Sequence, residues 1–299
     1  MKENRKPILV TGLYRSATTW TGIIICYSGR YGNIYEPFNP DVSSLLPDIK
    51  FPFLYVCKEN EDRYIESLDK VMNFDYDLNS LIKDSKNIEL FKRNLQVYLE
   101  FIYFRRKKNI PLIKDPIAVF SADWLAEKFD MDVVVMNRHP LGFISSLLKS
   151  NFGFDFNHLL RQALLIDDYL KDYAERIIEM KDQLNKEGKN RETIIKYGVL
   201  MWEIINSVIL KYKKKHKNWF FYRLEDIQTD TRGIINGLYS DLNIKIEPSI
   251  DKKINYRLTK KKSKNKLKSW ENDFSKEEML EVKRFCQDKA EVFYGNSDW

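Results

Sequence analysis

Residues 9–20 read Leu-Val-Thr-Gly-Leu-Tyr-Arg-Ser-Ala-Thr-Thr-Trp, and the reading of this stretch decides the fold. Ile8, Leu9 and Val10 make a short apolar run with strand character, Gly12 permits a tight turn, and Ser16, Thr18 and Thr19 open an apolar segment that reaches Ile25. A strand that passes through a glycine turn into a helix start makes an anion cradle, because the first N–H groups of a helix have no intrahelical acceptor. The nucleotide-binding P-loop ends in Gly-Lys-Ser/Thr. Here Ala17-Thr18-Thr19 takes that place without a lysine, and Arg15 supplies the positive charge. Taken alone, the stretch is equally well read as an ordinary strand–turn–helix with a Ser/Thr cap.

A second stretch, residues 133–146, reads Val-Val-Val-Met-Asn-Arg-His-Pro-Leu-Gly-Phe-Ile-Ser-Ser. An apolar strand runs into Arg138, then a proline turn and a helix. Guanidinium offers phosphate a planar fork of donors, and Ser146, with Ser145 in the neighbouring register, lies one or two helical turns further on. An arginine at a strand end is also a common surface ion-pair partner, so this motif too acquires weight only beside the first.

Together the two stretches resemble the sulfotransferases that use 3′-phosphoadenosine 5′-phosphosulfate (PAPS). Their 5′-phosphosulfate loop has the usual form Arg or Lys-Ser-Gly-Thr-Thr-Trp after a strand, and a later strand ends in Arg-x-Pro with a serine eight positions after the arginine. Ala17 replaces the loop glycine, which the cradle accommodates if the backbone there keeps a negative φ. The resemblance implies contacts to the 5′ side of the nucleotide from Gly12, Arg15, Ser16, Ala17, Thr18, Thr19 and Trp20, and to its 3′-phosphate from Arg138 and Ser146. Three shorter matches follow in the family's order. Glu36-Pro37-Phe38-Asn39-Pro40 resembles a Glu-Pro segment of bacterial and carbohydrate sulfotransferases, and Leu112-Ile113-Lys114-Asp115-Pro116 the strand end bearing a lysine near the transferring group. Tyr222-Arg223-Leu224-Glu225-Asp226-Ile227 resembles a Tyr-Glu-Asp-Leu strand end, with Tyr222 at a nucleotide contact. The basic segment at 257–268 stands where the family closes over the nucleotide, and Lys264 and Lys266 are its candidate contacts.

The family implies an α/β, P-loop-like three-layer sandwich with a central parallel sheet flanked by helices. Residues 58–108 and 151–196 match none of its motifs, and they are expected to be helical insertions in a single domain spanning 1–299 that carries the acceptor site. Strands are expected near 7–11, 110–114, 132–137 and 218–223, and long helices at 87–107, 157–184, 191–216 and about 275–290, where apolar residues recur every three or four positions.

Composition fits this class. The chain has 299 residues, 43% of them hydrophobic and 14% aromatic, enough for a sizeable core. The longest apolar runs fall short of the ~20 residues that span a bilayer, and residues 1–6 lead into the first strand without a secretory leader pattern. Cys26, Cys57 and Cys286 lack metal-ligand spacing and are expected as free thiols in a reducing cytoplasm. The formal charge of +7 suits an anionic ligand, a membrane surface or nucleic acid.

The resemblance implies transfer of a sulfuryl group from PAPS to an acceptor hydroxyl, expected on a glycan or glycoconjugate, leaving 3′-phosphoadenosine 5′-phosphate (PAP) and needing no metal. The transition state is loose, so catalysis falls on positioning and charge. Arg15, Thr18, Thr19 and the helix start serve the leaving phosphate, and Lys114 the sulfuryl oxygens. Glu36 is the candidate general base, with Asp115 in reserve; His139, His158 and His216 are less suitably placed. The alternatives are a P-loop-type small-molecule kinase, which lacks its lysine here, and a basic nucleic-acid-binding protein that uses 257–268.

Overall fold

The computed structural model describes residues 5–83, 85, 87–150, 153–260, 268 and 270–299. Five strands, β1 (Ile8–Gly12), β2 (Tyr31–Tyr35), β3 (Ile110–Lys114), β4 (Asp132–Asn137) and β5 (Phe220–Arg223), form one sheet in the order β2-β3-β1-β4-β5. Every pairing is parallel, and the register sets Val10 beside Lys114 on one side and Val134 on the other. Side chains alternate across a strand. Leu9, Ile113, Val133 and Val135 therefore enter one core, with the helices Pro140–Ser150, Arg191–Lys215 and Lys276–Ala290. Ile8, Val10, Leu112, Val134 and Met136 enter the other, with Thr18–Cys26, Thr231–Asp241 and Pro248–Lys260. A parallel sheet buried on both faces between helices is the expected α/β three-layer arrangement.

The strands at 110–114 and 132–137 coincide with expectation, while the first moves one residue on and the last is shorter. β2 is not foreshadowed, because Gly32 and Asn33, which strands disfavour, interrupt its Tyr-Gly-Asn-Ile-Tyr. Packing requires its glycine: a Cβ at Gly32 would lie 2.6 Å from the Phe104 ring and 2.7 Å from that of Phe74.

Helices Ile88–Lys107 and Arg191–Lys215 match the periodicity, the second opened by a capping box of Asn190 and Thr193. Lys276–Ala290 likewise begins with a capping box, of Ser275 and Glu278. The expected helix over 157–184 is instead broken into Asn157–Leu160, Ala163–Leu165, a π turn at Ile166–Leu170, a 3₁₀ turn at Lys171–Tyr173 and then Ala174–Glu187. Gln162 sits at the break. Its amide donates to the Phe53 carbonyl at 3.0 Å and the His158 carbonyl at 2.8 Å and accepts the Tyr55 N–H at 2.7 Å, so the side chain holds a neighbouring loop.

Helix Arg191–Lys215 is long and apolar enough, by length and composition, to cross a membrane, and 83% of its most apolar window is buried inside the protein, as in a core helix.

Candidate active site

β1 ends where its backbone meets β4. Gly12 has φ +123°, and a Cβ there would lie 2.2 Å from the Met136 carbonyl oxygen, so only glycine fits. The Leu13 N–H donates to that same carbonyl at 2.9 Å. Ser16 is buried, and its hydroxyl donates to the Leu13 carbonyl and, at 3.3 Å, to that of Met136. This corrects the expectation for Ser16: its hydroxyl fastens the turn, which leaves its N–H for a ligand. Ala17 is a second correction. Its backbone is left-handed, with φ +71° and ψ 20°, and Arg15 is left-handed too, at φ +65°. A non-glycine residue in that region is strained by on the order of 1–2 kcal/mol.

Helix Thr18–Cys26 begins with the Thr21 N–H donating to the Ala17 carbonyl at 3.0 Å, so the N–H groups of Thr18, Thr19 and Trp20 precede the first intrahelical bond. Arg15 and Thr19 are exposed beside them, and Thr18 is buried. Trp20 is 6% exposed, its indole packed in the core with Ile8 and Val10. What Trp20 offers an anion is therefore its backbone.

The ends of β2 and β3 bring Glu36 and Lys114 together. Tyr35 pairs with Lys114 in the ladder, and the Glu36 N–H donates to the Lys114 carbonyl at 2.9 Å. Lys114 Nζ donates to Glu36 Oε1 at 2.5 Å, with side chains 1% and 14% exposed, and lies 3.6 Å from the Tyr35 ring centroid. Glu36 Oε2 accepts from Asn39 Nδ2 at 3.0 Å. The lysine stem runs along the cradle helix at Gly22, where a Cβ would come 3.1 Å from Lys114 Cγ. The cradle, the ammonium and the carboxylate thus share the C-terminal edge of the sheet.

Asp115 is fully buried and differently employed. Oδ2 accepts the Phe38 N–H at 2.7 Å and Oδ1 the Ile117 N–H at 3.0 Å. Burial, and then the neighbouring Glu36, push its carboxyl up to about 7, against those two backbone donors and Lys114. With both oxygens committed to backbone, Asp115 clamps the loop after Glu36.

Arg138 closes the cradle from the β4 side, its Nη1 donating to the Arg15 carbonyl at 2.9 Å. Burial, reinforced by Arg15 and opposed by Glu225, holds its guanidinium below the ordinary arginine value. A polar network absent from the sequence reading fixes its backbone. Its N–H donates to Asn137 Oδ1 at 2.9 Å, Asn137 donates to Asn206 at 2.7 Å, and the Trp202 indole donates to the Arg138 carbonyl at 2.9 Å. Gly142 was also missed, though a glycine one helical turn after an arginine is a usable signal: a Cβ there would lie 3.0 Å from Arg138 Nε and 3.4 Å from Trp270. Arg138 lines a cleft of about 380 Å³ with His139, Gly142, Glu225, Lys268 and Trp270 among others.

Ser146 does not join Arg138 as expected. Its hydroxyl donates to the Phe143 carbonyl at 2.6 Å, one turn back in its own helix. Ser145 is no substitute, since its hydroxyl donates to Asp273 at 2.6 Å beside Lys149. Tyr222 is committed as well, donating to Asp241 at 2.5 Å. Each of these hydroxyls is taken by an acceptor within the protein. Lys264 and Lys266 lie outside the described residues. Among the described residues no group of three or more His, Cys, Asp or Glu side chains is arranged to hold a metal ion.

No protein-family model matches the chain, and no curated protein matches it. Among solved structures it is similar to a sulfotransferase from Mycobacterium avium, at 12% identity over 97% of this chain and 77% of that one, with a TM-score of 0.46. It is also similar to retinol dehydratase in complex with retinol and PAP, at 14% identity over 96% and 82%, TM-score 0.43. A third is the sulfotransferase domain of the Synechococcus PCC 7002 olefin synthase, at 13% identity over 83% and 78%, TM-score 0.41.

Proposed function

We propose that the protein transfers a sulfuryl group from PAPS to an acceptor hydroxyl by in-line displacement. The observation that carries this reading is the Lys114–Glu36 pair lying against the cradle helix. It sets an ammonium and a carboxylate beside the place where a group held by the cradle reacts. Arg15 and the N–H groups of Thr18, Thr19 and Trp20 hold the 5′-phosphate, and Arg138 the 3′-phosphate. PAPS supplies the sulfuryl group. As the acceptor oxygen bonds to sulfur, the bond from sulfur to the 5′-phosphate oxygen breaks, Lys114 stabilises the charge on the departing oxygen and Glu36 accepts the acceptor's proton. The ammonium and carboxylate are paired with each other, so both roles require them to part.

The acceptor we propose is a saccharide hydroxyl, on the likeness of residues 36–40 to the Glu-Pro segment of carbohydrate sulfotransferases. The cytoplasm is the proposed compartment, supported by three free cysteines.

Thermal melting with PAP, with ATP and magnesium, with an oligonucleotide, and alone tests the reading. PAP at a hundredfold excess over Kd should stabilise the fold by about 2.7 kcal/mol. A shift with ATP and magnesium but none with PAP, or salt-sensitive oligonucleotide binding alone, would reject it in favour of a kinase or a nucleic-acid-binding protein.

A further inference from the structure

The cleft at the end of β4 holds a polar side chain that the fold leaves unsatisfied. His139 is 1% exposed, and among the described residues neither Nδ1 nor Nε2 has a hydrogen-bond partner. Its backbone is fully employed: the N–H donates to Glu225 Oε1 at 3.0 Å and the carbonyl accepts the Phe143 N–H at 2.8 Å. The ring stacks on Trp270 at 5.2 Å and 7°, and meets Tyr294 at 5.0 Å and Trp299 at 4.6 Å edge-on. A residue serving only to fill this aromatic box would be apolar, because a buried imidazole without partners bears the full desolvation penalty of its nitrogens.

The surroundings indicate what those nitrogens are for. Gly142 brings Arg138 Nε and Trp270 Cδ1 within 3.0 and 3.4 Å of one point, and His139 lies flat on that tryptophan. Guanidinium and imidazole therefore border the same space. Helix Pro140–Ser150 starts there, and its first N–H groups precede any intrahelical bond.

We propose that the His139 imidazole is a second donor to the phosphate group that Arg138 holds. This rests on the reading of the cleft as the 3′-phosphate end of the PAPS site. The groups around the ring are the cations Arg138, Arg223 and Lys268 and the anions Glu225, Glu271 and Asp298, with the Tyr294 hydroxyl. Burial first, and then Lys268, Arg138 and Arg223, push the ring down to about 3. Even neutral, the imidazole carries one N–H, which it donates from the nitrogen facing the phosphate. A phosphate dianion against Arg138 opposes the effect of those cations and favours the protonated ring.

Calorimetric titration with PAP and with adenosine 5′-phosphate, at pH 7 in two buffers of different ionisation enthalpy, tests this on the wild type, H139F, H139Q and R138A. The wild type should take up close to one proton more per PAP than H139F. H139F should bind PAP roughly tenfold more weakly while binding adenosine 5′-phosphate as before. H139Q, which keeps a donor but cannot titrate, should retain most of the affinity and lose the proton uptake, and it carries the test if H139F does not fold. Wild-type PAP affinity and proton uptake in the histidine variants, with R138A weakened, would overturn this inference alone. Failure of the wild type to bind PAP would overturn the PAPS reading and this inference with it.

Discussion

Replacing Lys114 by methionine keeps the stem that packs on Gly22 and removes the ammonium. Glu36 then keeps only the Asn39 amide as a partner, in a site where it is 14% exposed. Breaking a buried ion pair on one side costs about 3–5 kcal/mol, and the residual exposure of Glu36 points to the lower figure. For a chain of 299 residues, about 3 kcal/mol corresponds to a fall in melting temperature of about 5 °C. Adding Glu36→Gln removes the orphaned charge, so the double variant should recover most of that loss. Activity should behave otherwise. Lys114→Met should lower kcat by ~10²-fold or more with PAP affinity within a few-fold, because its charge counts most when the bridging oxygen turns negative. Glu36→Gln alone should lower kcat by ~10²–10⁴-fold as the base is lost, and the double variant should stay inactive. Differential scanning calorimetry, PAP titration and single-turnover kinetics on the four proteins separate the effects. Full turnover in Lys114→Met, or a double variant no more stable than that single variant, would refute the reasoning.

Three further outcomes are expected. Arg138→Ala should weaken PAP binding ~10-fold or more while sparing adenosine 5′-phosphate, since a charge-assisted contact contributes about 1.5–3 kcal/mol; equal loss for both nucleotides in a calorimetric titration would remove Arg138 from the 3′-phosphate. Ala17→Gly relieves about 1 kcal/mol of left-handed strain against about 0.4–1 kcal/mol of added unfolded-chain entropy, so the melting temperature should hold or rise slightly. A clear drop in a thermal melt would deny the strain. Asp115, pushed up to about 7 when folded against ~3.9 when unfolded, keeps in the folded chain a proton that the unfolded chain has lost. Its contribution to stability therefore falls as pH rises between those values. Melts across that window should flatten in Asp115→Asn, and an unchanged slope would count against the assignment.

The parts of the molecule legible in the sequence are those set by local chemistry. Val133 to Met136 and Ile110 to Ile113 are apolar runs bounded by polar residues, and they became strands at the expected bounds. Gly12 forms the turn expected of it, while the contact of Glu36 with Lys114 was not foreseen and comes from the pairing of β2 with β3. What stayed hidden depends on partners far along the chain. β2 exists because Phe74 and Phe104 close over Gly32, and the helix over 157–184 breaks because Gln162 is needed by residues 53–55. For Ser146 and Tyr222 a motif specifies position in the chain and leaves the rotamer to a neighbouring acceptor, here Phe143 and Asp241. His139 was judged only as a possible base. The aromatic rings that bury it come from residues 270, 294 and 299, which no local pattern ties to residue 139.

The strand order also works as a ruler. Lys114 ends β3 and Arg138 follows β4, with β1 and its cradle between them. Neighbouring strands lie about 4.8 Å apart, so the ends of β3 and β4 stand roughly 10 Å from one another across the sheet. A single phosphate cannot span from one strand end to the other. Two anionic ends held apart by a rigid spacer can, and such a molecule would arrive with its reactive end already directed at β3 and β2. Selection between donors would then be made by length before any base or sugar is read.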